Sequence, residues 1–453
     1  MQAAEDIELT RWLQRMVNFT SHQCCEEIQT LMAHEVLRNI SSDIRKQTEF
    51  GIICDGSQDI CGKDQECICI RYVDENLCIH EEFVGFYEQG STTGEAIAIT
   101  IKDVLQRLML PMENLRAQTY DGAANMQGVF KGCQSILVQE QPLALPFHCS
   151  AHCINLVMVN AVDADPLPRD AIQNAHELGK LYKRSGKFQT QFKEIASEQG
   201  LSPHSSMIRP LCPTRWLCRG KAIAAVLGQY ETVLESLYTM SIGGNSDVAN
   251  KARGLHACFL HASTLLALKM VYEIIALLEE LNKMLQSSTG ILSSALEGVA
   301  VVKTTLLMKR SDAHFEKLFN EVTTTADLLS LNPLELPRRR VPPSRYTDGT
   351  VPAYVPISAL HHFKVIFYKL IDTAVQQLDD RFNVSSALGT YLRLEQMLIE
   401  GEVDAELLVI YQNDIDPRRL ETQLQMYHNE YHKPATLLEV KKTLMAMSRD
   451  ARR

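Results

Sequence analysis

Much is missing from this chain of 453 residues, and each absence excludes a class. No run approaches the roughly 18 uninterrupted apolar residues of a membrane span. The opening "MQAAEDIELTRWLQ" carries acids where a secretory leader needs a basic start and an apolar centre. An intracellular protein without membrane attachment is therefore expected. No CxxC occurs. The 13 cysteines are odd in number and irregularly spaced, so they read as reduced thiols rather than a disulfide framework. There is no Walker loop, GxSxG, HExxH or GxGxxG. Neither a nucleotide cradle nor a small-molecule cofactor is expected. Positive charge is also lacking, because the net is −10, which argues against coating nucleic acid by bulk charge.

What is present is apolar and organised. Hydrophobic residues make up 45%, enough for folded cores. The length suggests about two or three domains at roughly 150 residues each. Apolar residues return every three or four positions in "CCEEIQTLMAHEVLRNISSDI", so residues 1–48 read as N-terminal helices. The period then changes. "FGIICD" (50–55), "ECICIRYVD" (66–74) and "EEFVGFYEQ" (81–89) read as strands, and their short links favour antiparallel hairpins. "EAIAITIKDVLQRLML" reads as a helix, "LRAQTYD" (115–121) as a strand, and "AANMQGVFKGCQSILVQE" as one helix weakened by glycines. "ALPFHC" (144–149) reads as a strand followed by the helix "SAHCINLVMVNAV".

The order β-β-β-α-β-α-β-α over 50–162 resembles the ribonuclease H-like fold of polynucleotidyl transferases. The expected class is α/β, with three antiparallel strands followed by βα units. The core is assigned to 49–165 and a large all-helical insertion to 166–330. A Pro-rich linker is assigned to 331–356 and a helical C-terminal region to 357–453. The long helical segments include 251–286.

Three groups of residues could carry chemistry. Asp55 and Asp121 end the first and fourth strands, which lie side by side in this fold. Nucleotidyl transfer commonly uses two divalent ions about 4 Å apart, held by convergent carboxylates. Asp59 is a possible accessory. Against this stands turn capping, since "DG" is common turn chemistry. The shared position of the two acids in the strand order favours a metal site for Mg²⁺ or Mn²⁺. "HCSAHC" is the second group. His148, Cys149, His152 and Cys153 could ligate zinc, but the i, i+4 pairs would lie about 100° apart on one helix. A structural role outweighs a zinc site. "CPTRWLCRGKAI" is the third. Trp216, Arg215 and Arg219 fit either a buried helix start or an aromatic stacked on an unpaired base with arginines on phosphate. From Arg169 to Lys221 ten Lys/Arg stand against four Asp/Glu, a local excess of six.

The motifs also carry a family likeness. "DGSQDICGKDQECICIRYVD" resembles the "DETTDxSxxEQLSICIRYVD" segment of hAT-like transposase domains of the DUF4371 type, found in zinc finger MYM-type one-like proteins. "QTYDGAANMQGVFKGCQ", "ALPFHCSAHCINLV" and "CPTRWLCRGKAI" are similar to further motifs of that family and stand in its order over about 50–382. The resemblance implies Asp55 and Asp121 as two members of an acidic triad. It implies Trp216 beside flipped-out DNA, and His148, Cys149 and His152 as a structural signature. Departures accompany it. The "ERxFS"-like stretch of the dimerisation region, with the third acid, is not found, and no motif selects Glu395, Glu400 or Glu402 in its place. An N-terminal zinc-finger DNA reader is not found either.

The resulting expectation is a domesticated, catalytically inactive protein derived from a transposable element. It would act as a nuclear scaffold binding nucleic acid or protein. DNA, protein partners and self-association are the expected partners. Two alternatives stay open: an active metal-dependent DNA nuclease or transposase with an unidentified third acid, and a non-functional fragment of a longer transposase-like protein.

Overall fold

The computed structural model describes residues 8, 11, 20–128, 130–200, 208, 211, 219–243, 247–286, 292–336, 357–383, 386–431 and 434–447. They fall into two compact units, one within 1–149 and 386–453, the other within 150–385.

The first unit begins with helix α1 (His22–Arg45), capped by Ser21, whose hydroxyl accepts from the Cys24 amide. Strands β1 (Phe50–Gln58), β2 (Asp64–Val73) and β3 (Ile79–Glu88) follow as two antiparallel hairpins. Their period-two alternation buries Phe50, Ile52 and Cys54 on one strand and Ile68, Ile70 and Tyr72 on the next. Strand β1 corrects the expected boundary at Asp55. It continues through Gly56–Gln58, because β2 starts at Asp64 and pairs with it to the hairpin end.

Helix α2 (Gly94–Arg107) is capped by Thr93 and buries Ile97, Ala98, Ile101, Val104 and Leu105 against the sheet. Strand β4 (Leu115–Tyr120) lies parallel to β1, with Ile53 beside Thr119 as the last pair. The single helix expected over 124–140 is two pieces, a helical turn α3 (Ala124–Gln127) and helix α4 (Cys133–Glu140). Gly128 ends the first piece and Gly132 precedes the second. The two glycine backbones approach too closely for either to carry a side chain comfortably, and Gly94 packs against the Asn125 and Lys131 carbonyls. Strand β5 (Leu145–His148) then pairs parallel to β4, completing the order β3-β2-β1-β4-β5.

The second unit is helical. It contains α5 (Ser150–Asp163), α6 (Pro166–Arg184), α7 (Gly186–Glu198), α8 (Arg219–Gly228), α9 (Tyr230–Ser241), α10 (Asp247–Phe259), α11 (Ala262–Leu285), α12 (Leu292–Lys309), α13 (Asp312–Leu328) and α14 (Ala359–Phe382). Helix α11 is buried nearly all round, from Leu265 to Leu281, as expected of an axis that other helices surround. The segment 251–286 is two helices rather than one. At the break the Ala262 amide donates to the Asn332 carbonyl and the Asn332 amide to that of Leu260, so a later strand-like residue substitutes for the helical ladder. Of the Pro-rich stretch, residues 331–336 are described, without helix or strand beyond that bridge.

Helices α15 (Ser386–Glu400), α16 (Ala405–Ile410), α17 (Pro417–Glu430) and α18 (Leu437–Ala446) return to the first unit. Arg116 of β4 grips Asp414 through two hydrogen bonds of 2.7 Å, with both side chains only 16% exposed. The Tyr391 hydroxyl donates to the Arg116 carbonyl, and its ring packs on Phe147 at 5.1 Å. Among the described residues no helix is long and apolar enough to cross a membrane.

Candidate functional site at the strand tips

The parallel pairing of β1 and β4 brings two acids to the same level. Two residues past the last pair stand Asp55, exposed, and Asp121, half-buried. Alternation along β1 puts Asp55 on the sheet face opposite the buried Cys54, whereas Asp121 stands one residue past the end of β4, outside that alternation. Asp121 also serves its own turn, because its carboxylate accepts from the Ala123 amide at 3.1 Å. The same side chain therefore performs the capping role that competes with a metal role.

A third carboxylate escaped the sequence reading. Glu66 faces Gly56 across β1 and β2 and is only 4% exposed. Its carboxylate accepts from the Cys54 thiol at 3.2 Å. Burial raises its pKa, and the nearby charges of Asp121, Asp55 and Asp64 add to the rise. Gly56 stands opposite, where an added Cβ would meet the Glu66 carboxylate at 3.5 Å, an ordinary van der Waals contact. The signal was visible. Glu66 occupies the inward phase of a strand whose other inward residues are Ile68, Ile70 and Tyr72. A cleft of about 240 Å³ opens here, lined by Glu66, Asp121, Asp64, Thr92 and Asn125 among others.

Asp59 does not join these acids. It organises the β1–β2 turn, accepting from the Cys61 and Lys63 amides at 2.8 and 3.0 Å and from Gln65 at 3.2 Å. Those backbone bonds hold its carboxyl below the usual range. His148 ends β5, exposed, with its Nδ1 2.8 Å from the Gln127 amide nitrogen. The Cys149 amide donates to the Tyr120 carbonyl, and His152 lies half-buried in the first turn of α5. Glu395 is buried on α15, while Glu400 and Glu402 are exposed; none lines the cleft. Arg219 opens α8 at 8% exposure. Trp216 and Arg215 lie outside the described residues.

Among the described residues no three His, Cys, Asp or Glu side chains converge as a metal would need. Asp55 and Asp121 share a level, and Glu66, whose pKa is raised by burial and by their charges, lies on the core face of β2.

A buried polar chain braces the site from below. The Tyr120 hydroxyl donates to Gln118, and Gln118 donates to the Ala144 carbonyl at 2.7 Å. The Cys133 thiol bonds Tyr120 at 3.6 Å and is pushed up to about 12 by burial.

The five-stranded mixed sheet with its flanking helices is an α/β fold consistent with an RNase-like domain. Residues 7–132 match the family model DUF4371, described as ZMYM1/FAM200, RNase-like domain. The resemblance read from the motifs holds over that segment. Over a longer stretch, the chain is 22% identical over 376 residues to the human "52 kDa repressor of the inhibitor of the protein kinase", covering 80% of this chain and 47% of the relative. The mouse protein of that name is 21% identical over 370 residues, with 79% and 47% covered. The chain thus spans about half the length of the curated relatives it matches.

Proposed function

We propose that this chain is a domesticated transposase-like protein that uses an RNase-like scaffold for binding and does not cut nucleic acid. The observation that carries the reading is the state of the acids at the strand tips. Asp55 and Asp121 stand level, yet the third nearby carboxylate is buried, bonded to Cys54 and disfavoured in its charged form. In-line phosphoryl displacement needs ions fixed on both the attacking and leaving oxygens. Two carboxylates, one of them also capping a turn, do not supply that arrangement. The relatives' name as repressors supports a regulatory role exerted by binding, and the proposed location is the nucleus. DNA and protein partners both suit such a role.

The test is cleavage. Labelled single-stranded, duplex and hairpin DNA are incubated with the full chain in Mg²⁺ or Mn²⁺. No product above the level of an Asp55→Ala/Asp121→Ala variant is expected. Ion-dependent nicking that the double variant lacks would establish an active nuclease instead.

A further inference from the structure

We infer that the outer sheet face of β2 and β3 is the contact through which two copies of this chain form a symmetric dimer. Strand β2 turns Cys67, Cys69 and Arg71 to this face, the phase opposite to the buried Ile68, Ile70 and Tyr72. Strand β3 adds Glu81, Phe83, Phe86 and Glu88. Phe83 and Phe86 are three residues apart and would point to opposite faces of a regular strand. A bulge prevents this. Ile68 pairs with Gly85 and Cys69 with Phe83, so Val84 is an extra residue, and Gly85 takes a φ of 150°. Both rings then stand on one face, 5.0 Å apart, and remain 48% and 60% exposed.

Further along the sheet the same face is covered by the chain itself. Strand register puts Ile53, Thr119 and Phe147 on the side of Cys69. There Phe147 packs on Tyr391 of α15. That helical layer leaves Phe83 and Phe86 bare, and an exposed aromatic pair on a sheet is the kind of apolar patch that marks a contact. The bulge also interrupts the free edge of β3, which disfavours addition of another strand there. A layer laid on the face is the remaining way to cover the rings.

The face is complementary to itself. Phe83 stands beside Cys69 and Phe86 beside Cys67, so an aromatic column on β3 runs next to a thiol column on β2. An ion pair closes each end, Arg71–Glu81 at 3.4 Å and Lys63–Glu88 at 2.9 Å. A two-fold axis parallel to the strands lays β2 of one copy over β3 of the other, in the aligned packing of a β-sandwich. Each ring then meets a small thiol, and Arg71 meets the partner's Glu81. An axis across the strands would instead set Glu81 over the partner's Glu88, acid on acid. Burial, with Cys67 adding to it, pushes the Cys69 thiol up to about 12, so it stays neutral and packs as a small apolar group. Two cations balance two acids, which suits a second copy of this face better than a strongly charged partner.

Sedimentation equilibrium of the full chain across the micromolar range tests the inference. Wild type is expected to dimerise. Phe86→Lys is expected to raise the dimer dissociation constant about tenfold or more, with an unchanged circular dichroism spectrum. Arg71→Glu and Glu81→Arg each set like charges across the axis, and each alone is expected to dimerise more weakly by a similar factor. Mixing these two variants should restore the dimer, because unlike charges then face each other in the mixed pair. Damage to the fold of either variant would not be repaired by mixing, so the mixture separates contact from folding. A wild type that stays monomeric would overturn the inference. So would a Phe86→Lys variant as dimeric as wild type, or a mixture no more dimeric than its components. The inference goes beyond the function proposed above, and none of these outcomes depends on whether the chain cuts nucleic acid.

Discussion

The two units keep their charges in opposite ways. In the sheet unit the notable side chains are acids gathered at strand tips, and the fold has absorbed them. Asp121 caps a turn, Asp59 builds a hairpin end, and Glu66 is buried against a thiol. In the helical unit cations stand on an open groove beside Glu177 and Asp247; Lys180 pairs with Glu177, and no ion pair among the described residues engages Arg184 or Lys251. Acids that the fold has taken into its own hydrogen bonding are poor ligands for a hard cation. Cations that it leaves unpaired remain available to a partner. On the reading proposed above, the catalytic end has become structural and binding lies elsewhere.

The sharpest way to break this comparison is to damage one unit and watch the other. Phe367 is fully buried in the helical unit, 5.6 Å from the Phe315 ring. Phe367→Ala should cost about 3–5 kcal/mol of that unit's stability. Urea unfolding followed by circular dichroism should show the helical transition moving while the sheet transition holds. A smaller loss belongs to the sheet unit. Asp414→Ala leaves Arg116 charged and largely buried without its partner, and about 2–3 kcal/mol should be lost. Hydrogen exchange should quicken along β4 and over 386–431, and leave α11 protected.

Glu66 gives a pH signature. Its folded pKa is raised, so the native state binds more protons than the unfolded chain above the ordinary glutamate range. Stability from this group is full below that range and falls as pH rises through the raised value. Glu66→Gln should flatten the decline and leave the variant at least as stable as wild type at neutral pH. Melting temperatures across pH 4–8 read it directly. A wild-type curve that rises through this window on account of Glu66 would contradict the assignment. The smallest effect is expected at the surface. Lys283 and Glu280 form an exposed pair one turn apart, and Lys283→Ala should leave the melting temperature of both units unchanged.

Much of this organisation was legible before the coordinates. The alternation in "CICIRY" and the helical period around Ile97 and Ile101 come from local burial, so strands and helices were placed within a few residues. The common level of Asp55 and Asp121, two residues past the last β1–β4 pair, followed from strand order. What escaped depends on contacts distant in sequence. The extension of β1 to Gln58 needs its partner β2, and the break between α10 and α11 needs Asn332. The Arg116–Asp414 clamp joins residues 298 positions apart, and no local pattern announces it. Glu66 lies between these cases. An acid in the apolar phase of a strand was a readable anomaly, but its consequence depended on Cys54 of the neighbouring strand.

The central claim is that the acids at the strand tips no longer form a working metal centre. Calorimetric titration of Mn²⁺ into the full chain, wild type and Asp121→Ala, tests it most directly. The account predicts weak heats that are the same for both proteins. A saturable site of one or two ions per chain that vanishes in Asp121→Ala would contradict it.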